Sequence, residues 1–389
     1  MDHRYRNLVA KSSPKRQHHW QGQRGQAMSD EQPVGGPGDA FAFTATWRDY
    51  LPIAASNLLL TIVTIGVYRF WAKARERRYL WSHTRFIDDR LEWTGTGKEM
   101  FVGFLIAMAL FTPPILFLRF GFQAMVLRGQ AGPAAVLFVA VYAFLLFVFG
   151  IARFRALRYR LARSYWHGIR GGSDDPGFRY GWSAVWKPLV GFLALGLMIP
   201  WSMVRLWNER WAAMSFGPYR FESNAMAAPL MLRWLLLLIS PIVVVLLGGL
   251  VAAAIGGAAM VAGGRGGMIG VVLAGLAVVG GFYLLVALIG LGYWAAYLRQ
   301  AIGSLSLGGL RFQFDARSKD WLLLFLGDIA LVAGTLGLGI CFLGYRHWSF
   351  LIRHLGAAGE VDLAEVTQST TRAPREAEGF ADAFDFGAI

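Results

Sequence analysis

The sequence predicts an all-α integral membrane protein, on three observations. The 389 residues are 56% hydrophobic and only 16% charged, with a mean hydropathy of +0.44; soluble domains carry about 25% charged residues. The apolar residues are clumped into seven stretches, at 49–68, 99–120, 132–153, 183–204, 231–255, 268–296 and 320–343. Each is long enough, at the roughly 20 residues that a helix needs, to cross a hydrocarbon core. None alternates strictly between polar and apolar, as a membrane β-strand does, so helices are the expected way to satisfy the backbone in lipid. A soluble core is excluded because its helices keep a polar face.

The net charge is +14 and the isoelectric point about 10.2. In a soluble protein that would suggest nucleic acid. Here the Arg and Lys lie beside apolar stretches, so the partner expected is the bilayer and its anionic phospholipids, with no nucleic acid. The lone cysteine, Cys341, can form no intramolecular disulfide. Residues 1–40 contain no apolar segment of the signal-peptide kind, so the first span would target the chain to the membrane. They read as a disordered tail, and Met28 looks like a natural start, with 1–27 an upstream extension. Residues 356–389 read as an acidic disordered tail.

Between the tails lies an internal repeat. Aromatic pairs precede three spans, at Phe41/Phe43, Phe178/Tyr180 and Phe312/Phe314, and an Arg-x-Trp follows each, at Arg69/Trp71, Arg205/Trp207 and Arg346/Trp348. Arg85-Phe86 and Arg220-Phe221 add a third marker. These divide the chain into units of 41–177 and 178–311, with three spans each, and a truncated unit of 312–355 with one. An odd number of spans per unit places successive units in opposite orientations, as in many transporters. Segments such as 84–95, 164–182 and 303–314 read as short β-hairpins at the membrane surface, the first turning at Asp88-Asp89.

The stretch NLLLTIVTIGVYRFWAKARERRYLWSHTRF (57–86) closely resembles the signature of the YjgN-like bacterial inner-membrane proteins, and GLRFQFDAR (309–317) resembles an element that recurs in that family. The resemblance runs over roughly 40–355 and is looser around 164–180. It implies a multi-pass protein of the bacterial inner membrane and names no reaction or substrate.

Seven spans, with 19 basic residues on one face and 11 on the other, place the N-terminus in the periplasm and the C-terminus in the cytoplasm. Asp328 is the most informative polar residue. A carboxylate at that depth costs roughly 2.5–3.5 kcal/mol, so it should face the bundle interior, be protonated or have a partner. Asn57 stands seven residues before Thr64 as Asp328 stands before Thr335, so the two are equivalent, and the matching place in the middle unit falls near Ala194. Asn57 and Asp328 are therefore expected to approach each other, as an ion site or as a helix-packing hydrogen bond.

Arg69, Lys73, Arg75, Arg77 and Arg78 follow the first span as a topology signal or a lipid-binding face. With Trp71, Arg205, Trp207, Arg346 and Trp348 they form the interfacial candidates. Gly263-Gly264-x-Gly266-Gly267 reads as a tight turn, and Pro113-Pro114, Pro200 and Pro241 as interruptions of spans. No metal, cofactor or catalytic constellation emerges, and the chain is not expected to be an enzyme. Two roles remain open: a transporter or channel for a small solute, or a membrane scaffold or envelope-maintenance protein that binds lipids or other membrane proteins.

Overall fold

The computed structural model describes residues 40–359 and 367–372. The expectations for 1–27, for the rest of the N-terminal tail and for most of the acidic tail fall outside them.

Four helices are long and apolar enough to cross a membrane: Gly97–Leu127, Ala131–Arg163, Ala228–Ala258 and Gly267–Gly303. They build two pairs. In the first, α3 (Gly97–Leu116) runs through a π-helical turn at Phe117–Gly121 into α4 (Phe122–Leu127), and α5 (Ala131–Arg163) returns. The π turn directly follows Pro113-Pro114, whose missing N–H groups disturb the helical ladder there. In the second pair, α8 (Ala228–Ala262) reverses at Gly263 and Gly264, both with positive φ, into α9 (Gly264–Gly303), at the turn expected from the glycine run. Of the most apolar window in Gly267–Gly303, 0% is buried within the protein, which leaves that surface to lipid.

The other three apolar stretches are not single long helices. Each folds as a helical hairpin: α1 (Trp47–Val63) with α2 (Arg69–Ser82), α6 (Phe178–Leu193) with α7 (Ile199–Ala212), and α10 (Ser318–Gly334) with α11 (Leu343–His354). The reversal is local chemistry. Ile65-Gly66, Leu195-Gly196 and Leu336-Gly337 each place two consecutive residues at positive φ. The glycine N–H closes each first arm by donating five residues back, to Thr61, Gly191 and Val332. In two tips a threonine completes the turn: Thr64 Oγ1 accepts from the Tyr68 N–H, and Thr335 Oγ1 from the Gly339 N–H. Hydropathy alone cannot tell an apolar stretch that crosses from one that turns back, which is why seven spans were expected. Pro200 sits in the first turn of α7, where a proline starts a helix rather than interrupting one.

The short hairpins expected at the surface are joined into larger sheets. β1 (Phe41–Phe43), β2 (Thr84–Phe86) and β3 (Asp89–Arg90) form one sheet of three. The second has eight antiparallel strands in chain order: β4 (Glu92–Trp93), β5 (Ser164–Trp166), β6 (Ile169–Gly172), β7 (Ser215–Phe216), β8 (Tyr219–Ser223), β9 (Leu305–Leu307), β10 (Leu310–Phe314) and β11 (Leu355–Ala358). It curls, so that Phe41 of β1 and Ala357 of β11 share one apolar cluster with Phe86, Trp166 and Leu310. The first turn falls at Ile87-Asp88, since Phe86 pairs with Asp89; the expected Asp88-Asp89 is one residue late.

The strands set where each helical unit begins and ends. Every helical hairpin and every pair of long helices begins and ends at these strands, so each unit returns to the side from which it left. The aromatic markers are not equivalent: Phe41/Phe43 and Phe312/Phe314 lie in strands, whereas Phe178/Tyr180 opens α6. At the far end, residues expected to be tail are structured. Gly356–Ala358 belong to β11, and Gln368 donates to the Gly168 carbonyl at 2.9 Å while accepting from the Arg170 N–H.

Candidate functional site

The first and third helical hairpins lie side by side. Trp81 stacks on Trp348 with ring centroids 4.0 Å apart, and Tyr50 on Tyr345 at 5.2 Å. Trp348 Nε1 donates to Thr84 Oγ1 at 2.8 Å and Tyr345 Oη to the Ala45 carbonyl at 3.0 Å. Gly344 permits the approach, because a Cβ there would overlap the Glu76 carboxylate.

Between these hairpins is a cavity of about 590 Å³. One wall is basic: Arg69, Lys73 and Arg77, spaced by four on α2, with Arg160 from α5. Arg77 is 3% exposed and lies over the Trp93 ring at 5.0 Å. Glu76 is the acidic residue of the lining, 3.4 Å from Lys73 Nζ. Much of the remaining lining is apolar, including Leu58, Ile340, Leu343 and Leu351, and it also includes His347. A cation-rich wall in a cavity with much apolar lining suits an amphiphile with an anionic head.

Of the expected interfacial residues, Arg69, Lys73, Arg77 and Trp348 line this cavity. Arg75 and Arg78 are exposed and not among its walls; Arg75 donates to Ser56 Oγ at 2.8 Å. Trp71 packs beside Phe101, where only a glycine at 97 leaves room for it. Arg205 is exposed on α7, and Trp207 is buried in a separate core with Tyr297 and Leu298. Arg160, Glu76 and His347 were missed by sequence reading, since nothing in it brings 160 or 347 near 73.

Asn57 and Asp328 do not pair with each other. Each instead ties the two arms of its own hairpin together. Asn57 Nδ2 donates to the Ala72 carbonyl at 3.2 Å. Asp328 accepts from Arg346 Nε at 2.7 Å and binds His347 Nε2 at 2.6 Å. The tips supply the correct register. Asn57 stands nine residues before Gly66 and Asp328 nine before Gly337; nine before Gly196 stands Lys187, not an apolar residue near Ala194. Lys187 is 4% exposed and pairs with Glu209 across α6 and α7. Three buried polar residues of different charge therefore occupy one position in three hairpins. Among the described residues, no group of three or more His, Cys, Asp and Glu is placed to hold a metal.

Four apolar helices anchored to a basic, strand-built surface define a multi-pass membrane protein. Residues 39–383 match the family described as "Bacterial protein of unknown function (DUF898)", and the chain belongs to that family. It is similar to the inner membrane protein YjgN of Escherichia coli K12, 24% identical over 160 residues, which is 41% of this chain and 37% of that protein. YjgN of Salmonella typhimurium is 22% identical over 157 residues, 40% of this chain and 37% of that protein. The matched region thus spans little more than a third of these relatives. No solved structure matches. With these relatives and its four apolar helices, the protein is placed in the bacterial inner membrane.

Proposed function

We propose that the protein is a non-enzymatic receptor for anionic phospholipid, which docks its headgroup in the cavity between the first and third helical hairpins. The observation that carries this reading is the lining itself: Arg69, Lys73, Arg77 and Arg160 share one cavity with Leu58, Ile340, Leu343 and Leu351. Cations bind the phosphate, and the apolar wall continues toward the exposed hydrophobic hairpin surface that would meet acyl chains. Lipid binding of this kind belongs to the scaffold or envelope-maintenance role. Solute transport is less well supported: the polar cavity expected around Asn57 and Asp328 is not formed, because Asp328 is bonded to Arg346 and His347.

The test is thermal unfolding of the purified protein in detergent, with phosphatidylglycerol or phosphatidylcholine added. A ligand that binds only the folded state stabilises it by about 2.7 kcal/mol at a hundredfold excess over its dissociation constant. Phosphatidylglycerol should raise the midpoint, phosphatidylcholine should not, and Lys73→Gln with Arg160→Gln should remove the shift. Equal shifts from both lipids, or an unchanged shift in that variant, would refute the reading.

A further inference from the structure

We propose that the three helical hairpins are re-entrant: they enter the bilayer from its cytoplasmic face, end in acyl chains, and return without crossing. This stands independently of any lipid in the cavity.

Three observations carry it. First, both ends of each hairpin meet the same strand-built layer that anchors the four spans. The arms are of limited length. The outgoing arms of 17, 16 and 17 residues reach about 25 Å at 1.5 Å per residue; the first two return arms, of 14 residues each, reach about 21 Å, and the third, a 3-10 turn at Leu338–Phe342 followed by 12 residues, about 28 Å. That is short of a hydrocarbon core of about 30 Å once the polar first turns are set at the surface.

Second, the tips are apolar and bare. Ile65 is 94% exposed, Leu195 83% and Leu336 94%, and they lie among exposed neighbours such as Ile62, Val63, Leu193 and Leu338. Much of the backbone at the tips is satisfied by the five-back glycine bonds and the two threonine hydroxyls, and in the middle hairpin the Gly196 carbonyl also accepts from Trp234 Nε1 of α8 at 2.9 Å. Lipid requires that of any chain reversal. Nine residues before the tip glycines, Lys187 and Asp328 are paired inside their hairpins and Asn57 Nδ2 donates to the Ala72 carbonyl, while Arg69, three residues after Gly66, lines the cavity. Acyl chains are the occupant that fits, because the tips continue the apolar surface of the neighbouring spans.

Third, charge fixes the side. Between residues 41 and 355, Arg119, Arg128 and Arg265 flank the ends of the long helices remote from the strands; the other 27 Arg and Lys belong to the strands, the hairpins and the near ends of the long helices. Basic residues mark the cytoplasmic side. Residues 41 and 358 then both lie in the cytoplasm, in contrast to the periplasmic N-terminus expected from seven spans.

Cysteine accessibility tests this in the full chain carrying Cys341→Ser. Single cysteines are placed at the tips (Ile65→Cys, Leu195→Cys, Leu336→Cys), in a strand (Arg90→Cys) and in the far loop (Gln130→Cys). Each is exposed to a membrane-impermeant maleimide in whole cells with a permeabilised outer membrane and in inverted vesicles. Arg90→Cys should react only in inverted vesicles and Gln130→Cys only in cells. The tips should react in neither until the membrane is dissolved. In reconstituted vesicles, a fluorophore on the same tips should be quenched by nitroxides on lipid chains. Tip labelling in cells would mean that the hairpins cross. Tip labelling in inverted vesicles at the rate of Arg90→Cys, or quenching by headgroup nitroxides alone, would mean that they lie in water. Either result overturns the proposal, as does a reversed pattern in the two controls.

Discussion

The Asp328 carboxylate meets the Arg346 guanidinium at 2.7 Å across the two arms of the third helical hairpin, only nine residues before its tip. The next residue, His347, holds the other carboxylate oxygen, so one acidic side chain on α10 fixes two consecutive residues of α11. Removing one partner of a buried pair leaves the other uncompensated. Asp328→Leu should therefore destabilise the protein by about 1–3 kcal/mol, a range reduced because the Arg346 side chain is one third exposed. In a double-mutant cycle with Arg346→Met, measured by thermal unfolding in detergent, the two losses should add to less than their sum. Full additivity would show that the pair contributes nothing.

Gly327 makes that pairing possible. A Cβ at 327 would fall on the terminal nitrogen of Arg346, so Gly327→Ala must push the guanidinium aside. The substitution should lower stability in the native chain and have a smaller effect once Arg346→Met has shortened the obstructing side chain. The same unfolding measurement on the four proteins of this cycle decides it.

The middle hairpin should behave differently at the equivalent position. Lys187 is buried, but its partner Glu209 is 43% exposed on the side chain and stays hydrated when left alone. Lys187→Met keeps the apolar stem and removes a buried cation, so stability should change by less than about 1 kcal/mol. A loss as large as that of Asp328→Leu would contradict this account.

The tips differ by one hydroxyl. Thr64 and Thr335 accept from the second arm, whereas Ala194 stands at that place in the middle hairpin. Thr64→Val and Thr335→Val should each cost about 0.5–1.5 kcal/mol, and Ala194→Thr should stabilise by a similar or smaller amount. Unfolding midpoints of the three single variants test the comparison.

Much of this architecture was legible in the sequence, and particular residues show where legibility ended. Clumped apolar residues identified the membrane, and the paired spans at 99–153 and 231–296 fold as long helices. The periodicity of Arg69, Lys73 and Arg77 already put them on one face, which the cavity uses. What the sequence did not reveal is that three of the apolar stretches reverse as helical hairpins. Thr64-x-Gly66 and Thr335-x-Gly337 served as alignment markers, although they are also the chemistry of a chain reversal. Aligning by the aromatic pairs rather than by these glycines then hid Lys187 as the third member of the set. Contacts such as Trp81 on Trp348, 267 residues apart, leave no trace in a single sequence.

The hairpins also give the molecule an asymmetric cross-section. With the hairpins re-entrant, as proposed, the leaflet on the strand side would hold four spanning helices and six hairpin arms, and the opposite leaflet the four helices alone. With each helix about 10 Å across, the protein would then displace much more lipid from one monolayer than from the other. Such a body is a wedge: it relieves packing stress where the wider monolayer is stretched and adds stress where that monolayer is compressed. Curvature of the surrounding membrane would thereby bias where copies of the protein gather.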